Sequence, residues 1–238
     1  MSDLIVVADS HLCGEDPVTE DFLRFLDQEG PSADVLILAG DIFDLWVARE
    51  ALELPFHRAV VDRLARLRDR GVRVLYVQGN RDYFVADRYR DGPFHQVAEE
   101  SLLLQHGGRK IHIAHGDLVN LEDRQYLTWR RFSRSALVRH LFSALPRGLA
   151  GRLSHSLERR FRTTNRAFRL EFPQAQAERY AREAFSQGAD TVVLGHFHQE
   201  RLLEFPEGRL FVLPGWREDR AYLRIDGSGQ ARFMQVQE

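Results

Sequence analysis

The sequence predicts an α/β fold, with two facing, mixed β-sheets flanked by helices. Three observations carry this. Short β-branched runs recur along the chain, and several stop abruptly at polar residues. Helical patterns separate them, the alternation expected of βαβ units and a largely parallel sheet. Towards the C-terminal end the alternation gives way to consecutive strands, and two sheets accommodate that mixture.

In chain order, "LIVVADSH" runs into Asp9 and His11, and a helical stripe follows at Phe22, Phe25 and Leu26. "DVLILAGDIFD" ends at Gly40-Asp41, and a second stripe follows at Val60, Leu64 and Leu67. "VRVLYVQGNRD" is an apolar strand that stops at Asn80. "LLLQHGGRKIHIAHG" reads as a hairpin around Gly107-Gly108 whose second strand leads to His115-Gly116-Asp117. A helical pattern through Tyr180, Ala184 and Phe185 precedes "DTVVLGHFH", which delivers His196 and His198. "RLFVLPG", "AYLRID" and "ARFMQVQ" are consecutive strands, the last two joined by "DGSG".

Residues 125–173 break this rhythm. They read as helices interrupted at Pro146-Arg147-Gly148, with an apolar stripe of Leu137, Val138, Leu141, Phe142 and Leu145. We read them as a helical cap inserted between two parts of one core, 1–124 and 174–238. The same stretch is strongly cationic: between Arg124 and Arg169 arginines recur and Glu158 is the only acid. In a chain of 238 residues with a net charge of −2, such an asymmetry points to an anionic partner or to a solvated helix face. The single cysteine, Cys13, excludes an internal disulfide, and the short apolar run near Met1 is neither a signal sequence nor a membrane span. These features suit a cytoplasmic protein.

Ligands of open α/β sheets bind beyond the carboxyl ends of the strands. Five strand ends here deliver Asp9, His11, Asp41, Asn80, His115, His196 and His198. A single histidine there is usually structural. This many oxygen and nitrogen donors at one edge would be costly without divalent cations to neutralise the carboxylates. Two cations are needed to use them all, with Asp41 best placed as the shared bridge. The absence of thiolate favours Mn²⁺, Fe²⁺ or Zn²⁺ over Ca²⁺. The neutral Asn80 carbonyl can ligate without adding charge.

The ordered blocks "DSH", "GD", "GNRD", "HGD" and "GHFH" resemble the pattern of the calcineurin-like metallophosphoesterases. That resemblance implies an αββα sandwich. It also implies one cation on Asp9, His11, Asp41 and His198, another on Asp41, Asn80, His115 and His196, and hydrolysis at phosphorus assisted by both. Many relatives that cleave monoesters carry histidine where Arg81 stands. Arginine, with a pKa above about 12, cannot protonate an alkoxide. A leaving phosphate, whose second pKa is about 6, needs no such proton. Arg81 can instead clamp phosphate oxygens, which favours cleavage of a pyrophosphate.

"GNRD", the helical insertion and the ending "VLPGWREDRAYLRID" further resemble the UDP-2,3-diacylglucosamine pyrophosphatases of lipid A biosynthesis. This implies a nucleotide-lipid substrate, Mn²⁺ as the usual cation and a peripheral place on the cytoplasmic face of the inner membrane, with no nucleic-acid partner. Catalysis would fall to Asn80, Arg81 and His196. Substrate contacts would add Asp123 and Asn165, with Arg166 or Arg169 replacing family positions that this chain does not match. The chain also lacks the acids usual after Trp46, so a different, water-soluble nucleotide or phosphodiester stays open as the substrate. His57, His95, His106, His112, His140 and His155 are read as packing or surface residues and Cys13 as a packing residue. Asp82 is expected to orient Arg81 or Asn80, and Trp46, Trp129 and Trp216 to lie in the core or a pocket wall.

Overall fold

The computed structural model describes residues 3–14, 16–89, 92–144 and 172–236. Its strands are β1 (Leu4–Val7), β2 (Val35–Leu38), β3 (Trp46–Val47), β4 (Arg73–Val77), β5 (Asp82–Tyr83), β6 (Gln96–Ala98) and β7 (Ser101–His106). They continue as β8 (Arg109–Ala114), β9 (Thr191–Leu194), β10 (Arg201–Glu204), β11 (Arg209–Val212), β12 (Ala221–Ile225) and β13 (Ala231–Gln235). The helices are α1 (Pro17–Gln28), α2 (Pro55–Asp69), α3 (Val85–Arg88), α4 (Arg124–Ser133), α5 (Ala136–Ala144), α6 (Gln174–Ser186) and α7 (Trp216–Asp219).

Period-two alternation sorts the strand residues into layers. In β1, Leu4 and Val6 face the space between the sheets, while Ile5 and Val7 face α1 and α2. In β2, Leu36 and Leu38 face the helices and Ile37 the other sheet; Val74 and Leu75 of β4 divide the same way. Across the gap, Ile111, Ile113, Val193 and Phe211 fill the space between the sheets. Val192, Leu194, Leu210 and Val212 turn outward onto α6. That helix packs closely because Ala177, Ala181 and Ala184 line its buried face. The result is the expected αββα sandwich.

One sheet has the order β13-β12-β1-β2-β4-β6 and the other β10-β11-β9-β8-β7. Both are mixed. β1, β2, β4 and β6 are parallel and β12 runs antiparallel to β1; β8, β9 and β11 are parallel, with antiparallel β7 and β10 at the edges. The run read as three consecutive strands is therefore divided. β11 belongs to the second sheet, and the chain crosses through α7 to reach β12 and β13 in the first. The expected hairpins β7–β8 and β12–β13 are present.

Local chemistry starts the helices. Asp16 caps α1 by accepting from Thr19 N (2.8 Å), with Pro17 in its first turn. At α2, Leu54 N donates to His57 Nδ1 (3.0 Å), and the His57 ring stacks on Phe56. His106 meets Ile225 O and His112 meets Tyr180 Oη, so these histidines have structural partners, as read. In α5, Leu137 and Leu141 are exposed and Phe142 packs beside Phe84. Trp46 and Trp216 are core residues, but Trp129 is exposed: it sits on the outward face of α4. The break at Pro146 and Leu145 lie outside the described residues.

Candidate metal centre

The carboxyl ends of β1, β2, β4, β8 and β9 converge. The β1 and β2 loops are stitched together by Asp9 N to Gly40 O (3.1 Å) and His11 N to Asp41 O (3.1 Å). The β4 loop approaches so closely that a Cβ on Gly79 would collide with the Asp41 carboxylate, which accounts for glycine there. Of the seven non-glycine residues with positive φ among the described residues, five are Asp9, His11, Asp41, His196 and His198, at φ between 42° and 72°. Left-handed backbone is costly for such side chains, and its concentration where strand ends of both sheets meet marks a functional region.

Two groups of side chains bring one donor atom each to within 4.8 Å of one another: Asp9, His11 and His198, and Asp9, Asp41 and His115. In the first, His11 Nε2 and His198 Nε2 are 3.2 Å apart, and Asp9 Oδ1 lies 3.4 Å from His198 Nε2 and 3.8 Å from His11 Nε2. Asp9 Oδ1 is buried without a hydrogen-bond partner. In the second, His115 Nδ1 donates to Ala39 O (2.9 Å), which turns Nε2 towards Asn80 Oδ1 (3.1 Å) and Asp41 Oδ2 (3.7 Å). Ligands about 2.1 Å from one ion lie roughly 3.0–3.4 Å apart; the pairs at 3.2, 3.4 and 3.1 Å match that spacing, while those at 3.8 and 3.7 Å are somewhat wider. Asp9 is common to both groups, where Asp41 was the expected bridge. Asp41 accepts from Arg81 N at Oδ1 (2.9 Å) and directs Oδ2 to His115. His196 belongs to neither group; its backbone N donates to Asp9 Oδ2 (2.7 Å) and its ring meets that of His115 edge-on.

The electrostatics follow from burial and mutual charge. Burial raises the Asp41 carboxyl to about 7, and the positive field of His115 does not offset it. Burial also favours the neutral form of Asp9, but the neighbouring His198, His115 and His11 outweigh it and hold that carboxyl below the usual range. Burial and the nearby His115 lower His196 to about 4, leaving a neutral imidazole. His198 is pushed up to about 9 because Asp9 and Glu218 more than offset its burial.

A family model described as calcineurin-like phosphoesterase matches residues 3–200. The chain belongs to the calcineurin-like phosphoesterases. It is accordingly a metal-dependent hydrolase. The phosphoesterase is 33% identical over 229 residues to UDP-2,3-diacylglucosamine hydrolase of Ralstonia nicotianae, with 92% of this chain and 85% of that protein covered. It is 29% identical over 231 residues to the protein of the same name from Edwardsiella ictaluri, with 94% and 89% covered. Among solved structures, an archaeal phosphodiesterase superposes with a TM-score of 0.50 at 11% identity, covering 98% of this chain and 99% of that one; it shares the fold.

Around the two groups, the phosphoesterase uses residues whose partners the sequence did not reveal. Asp82 Oδ2 accepts from Gly79 N (2.8 Å), Asp41 N (3.1 Å) and Tyr76 Oη (2.9 Å). It thus ties the β2 and β4 loops together, where we expected it to orient Arg81 or Asn80. Arg81 is only 3% exposed; its Nη1 donates to Asp44 Oδ1 (2.6 Å) and Asp44 O (2.8 Å), and its Nε lies 3.7 Å from Asp41 Oδ2. Two arginines of the cationic stretch also point inward. Arg130 Nε donates to Asp117 Oδ2 (3.1 Å), and Arg134 Nη2 to Gly79 O (2.5 Å) and Asp82 O (3.3 Å). α4 is thereby fastened to the "HGD" and "GNRD" loops. Asp123 caps α4 by accepting from Tyr126 N (2.8 Å). Asn165, Arg166 and Arg169 lie outside the described residues. The charged turn of α7 behind His198 also escaped sequence reasoning.

Proposed function

We propose that this enzyme hydrolyses the pyrophosphate of UDP-2,3-diacylglucosamine, releasing UMP and 2,3-diacylglucosamine 1-phosphate. Asp9, His11, Asp41 and His198 hold one divalent cation, and Asp41, Asn80, His115 and His196 the other, with Asp9 close enough to both to influence each. Mn²⁺ is the favoured ion. When bound, the cations supply Lewis-acid stabilisation of the charge on phosphorus oxygens. The observation that carries the reading is Arg81, buried against Asp41 of one donor group and against Asp44, which itself lies 3.8 Å from His11 Nδ1 of the other. Its permanent charge stabilises anionic oxygens, and it cannot deliver a proton. A phosphate leaving group requires none, so the site suits an anhydride better than an alkyl ester. The two relatives named above support the substrate through their shared name and near full-length match.

The chain's own groups divide the remaining work. Asn80 and His196 border the reacting phosphorus, and His196 enters as a neutral imidazole. Asp123, Asn165, Arg166 and Arg169 contact the substrate in this reading, the last three on sequence alone. The reading of residues 125–173 as an inserted cap rests on the sequence, since residues 145–171 lie outside the described ones. Trp129, Phe132, Leu137 and Leu141 expose apolar surface on α4 and α5 in an arginine-rich stretch. That combination supports peripheral attachment to an anionic membrane face, here the cytoplasmic face of the inner membrane. Among the described residues no helix is long and apolar enough to cross a membrane.

The direct test incubates the Mn²⁺-loaded full chain with UDP-2,3-diacylglucosamine and measures UMP. Stoichiometric UMP and sugar 1-phosphate are expected. No UMP above background, or equal kcat/KM on a water-soluble UDP-sugar lacking acyl chains, would overturn the assignment.

A further inference from the structure

The turn at Gly215–Asp219 lies outside every block that supplies a donor to the centre, yet it touches all three members of the Asp9–His11–His198 group. Trp216 is fully buried and packs against Phe22 and Phe25 of α1, which anchors the turn. The backbone N–H groups of Trp216 and Arg217 donate to Ala8 O and Asp9 O (3.3 Å each). Arg217 Nη1 donates to His11 O (2.9 Å) and its Nη2 to Asp16 Oδ2 (3.1 Å). His198 Nδ1 donates to Glu218 Oε2 (3.2 Å). Gly215 leaves the space for this pair: a Cβ there would lie 2.5 Å from both His198 Nδ1 and Glu218 Oε2.

We infer that Glu218 is a positioning residue for His198, and through it sets the affinity of the cation held by Asp9, His11 and His198. The bond to Nδ1–H fixes the tautomer that leaves the Nε2 lone pair directed at the donor group, and it fixes the rotation of the ring. A carboxylate in that role also raises ligand basicity. The inference rests on the two-cation reading of the site and not on the identity of the substrate.

The test is cation binding to the metal-free full chain, followed by calorimetry and by the electron paramagnetic resonance of added Mn²⁺. The wild-type chain is expected to take up two ions. Glu218→Ala is expected to weaken one of them by about 10–100-fold and leave the other unchanged. Glu218→Gln, whose amide oxygen still accepts from Nδ1–H, is expected to restore most of the lost affinity. A purely structural role would instead lower the thermal midpoint of the metal-free protein and weaken both ions together. That outcome overturns the inference, as do wild-type affinities in Glu218→Ala or equal losses in the Ala and Gln variants. A wild-type chain that takes up no divalent cation overturns the two-cation reading together with the inference. Failure to release UMP leaves the ion measurements, and hence this inference, intact.

Discussion

The two halves of the centre are held by different kinds of structure. Asp41 and His115 are anchored from the interior. His115 bonds the Ala39 carbonyl at the end of β2, and the Asp41 backbone bonds Asp82, which is itself buried beneath Tyr76. On the other half, His198 is held by Glu218, which is 41% exposed on the four-residue α7, and His11 by the guanidinium of Arg217. One half is therefore inseparable from the packing of the first sheet. The other is braced in part by a partly exposed turn, so a change at Glu218 is expected to spare the core.

The largest effect is expected at the interior half. Asp41→Asn should reduce kcat by about a hundred- to a thousandfold, the loss typical when a preorganised electrostatic contact is removed. In the presence of a chelator the same variant should melt at a higher temperature than wild type, because burial disfavours the Asp41 charge. A lower melting temperature there would show that Asp41 stabilises the metal-free fold.

Asp82→Ala comes next. It strands three buried donors, Gly79 N, Asp41 N and Tyr76 Oη, and should lower stability in urea by about 3–5 kcal/mol. Tyr76→Phe, which removes one of those bonds, should cost about 1 kcal/mol. If the two variants are equally stable, Asp82 is not the tie between the loops.

A pH series isolates a buried histidine that belongs to neither half. Burial lowers His57 from 6.5 to about 4. An unfolded chain protonates this group at higher pH than the folded one, so its contribution is complete above about pH 6.5 and is lost as pH falls through about 4. The loss amounts to about 3 kcal/mol. Subtracting the urea-derived stability of His57→Gln at each pH isolates the term, since glutamine carries no titrating charge. Parallel curves for the two proteins would rule it out. The smallest effect belongs to the turn at α7, where Glu218 substitutions should change one ion's affinity and leave the melting of the metal-free chain unaltered.

Much of the centre was legible because its donors announce themselves. Glycine, acid and imidazole at the ends of apolar strands make little sense as core or as ordinary turns. Asp9, Asp41, Asn80 and His115 were found by that signal, and the alternation of strands with helices revealed the fold class. What stayed hidden depends on distant pairing. Asp82 lies 41 residues from the Asp41 amide it holds, and nothing in "GNRD" names that partner. Arg134 reads as one more surface arginine until α4 is seen to lay it on the Gly79 carbonyl. Glu218 sits among Arg217, Asp219 and Arg220, where an exposed charged turn is the ordinary interpretation. Strand pattern alone also does not say which sheet a strand joins, which is why β11 was grouped with β12.

β1 lies between β2 and β12, with Leu4 opposite both Val35 and Ile225. During synthesis on the ribosome, one side of this strand stays bare until Ala221–Ile225 has emerged, and α7 emerges just before it. The sheet that carries Asp9 and Asp41 is therefore completed only when the last two strands emerge. Until then an unpaired strand edge is left for chaperones to shield.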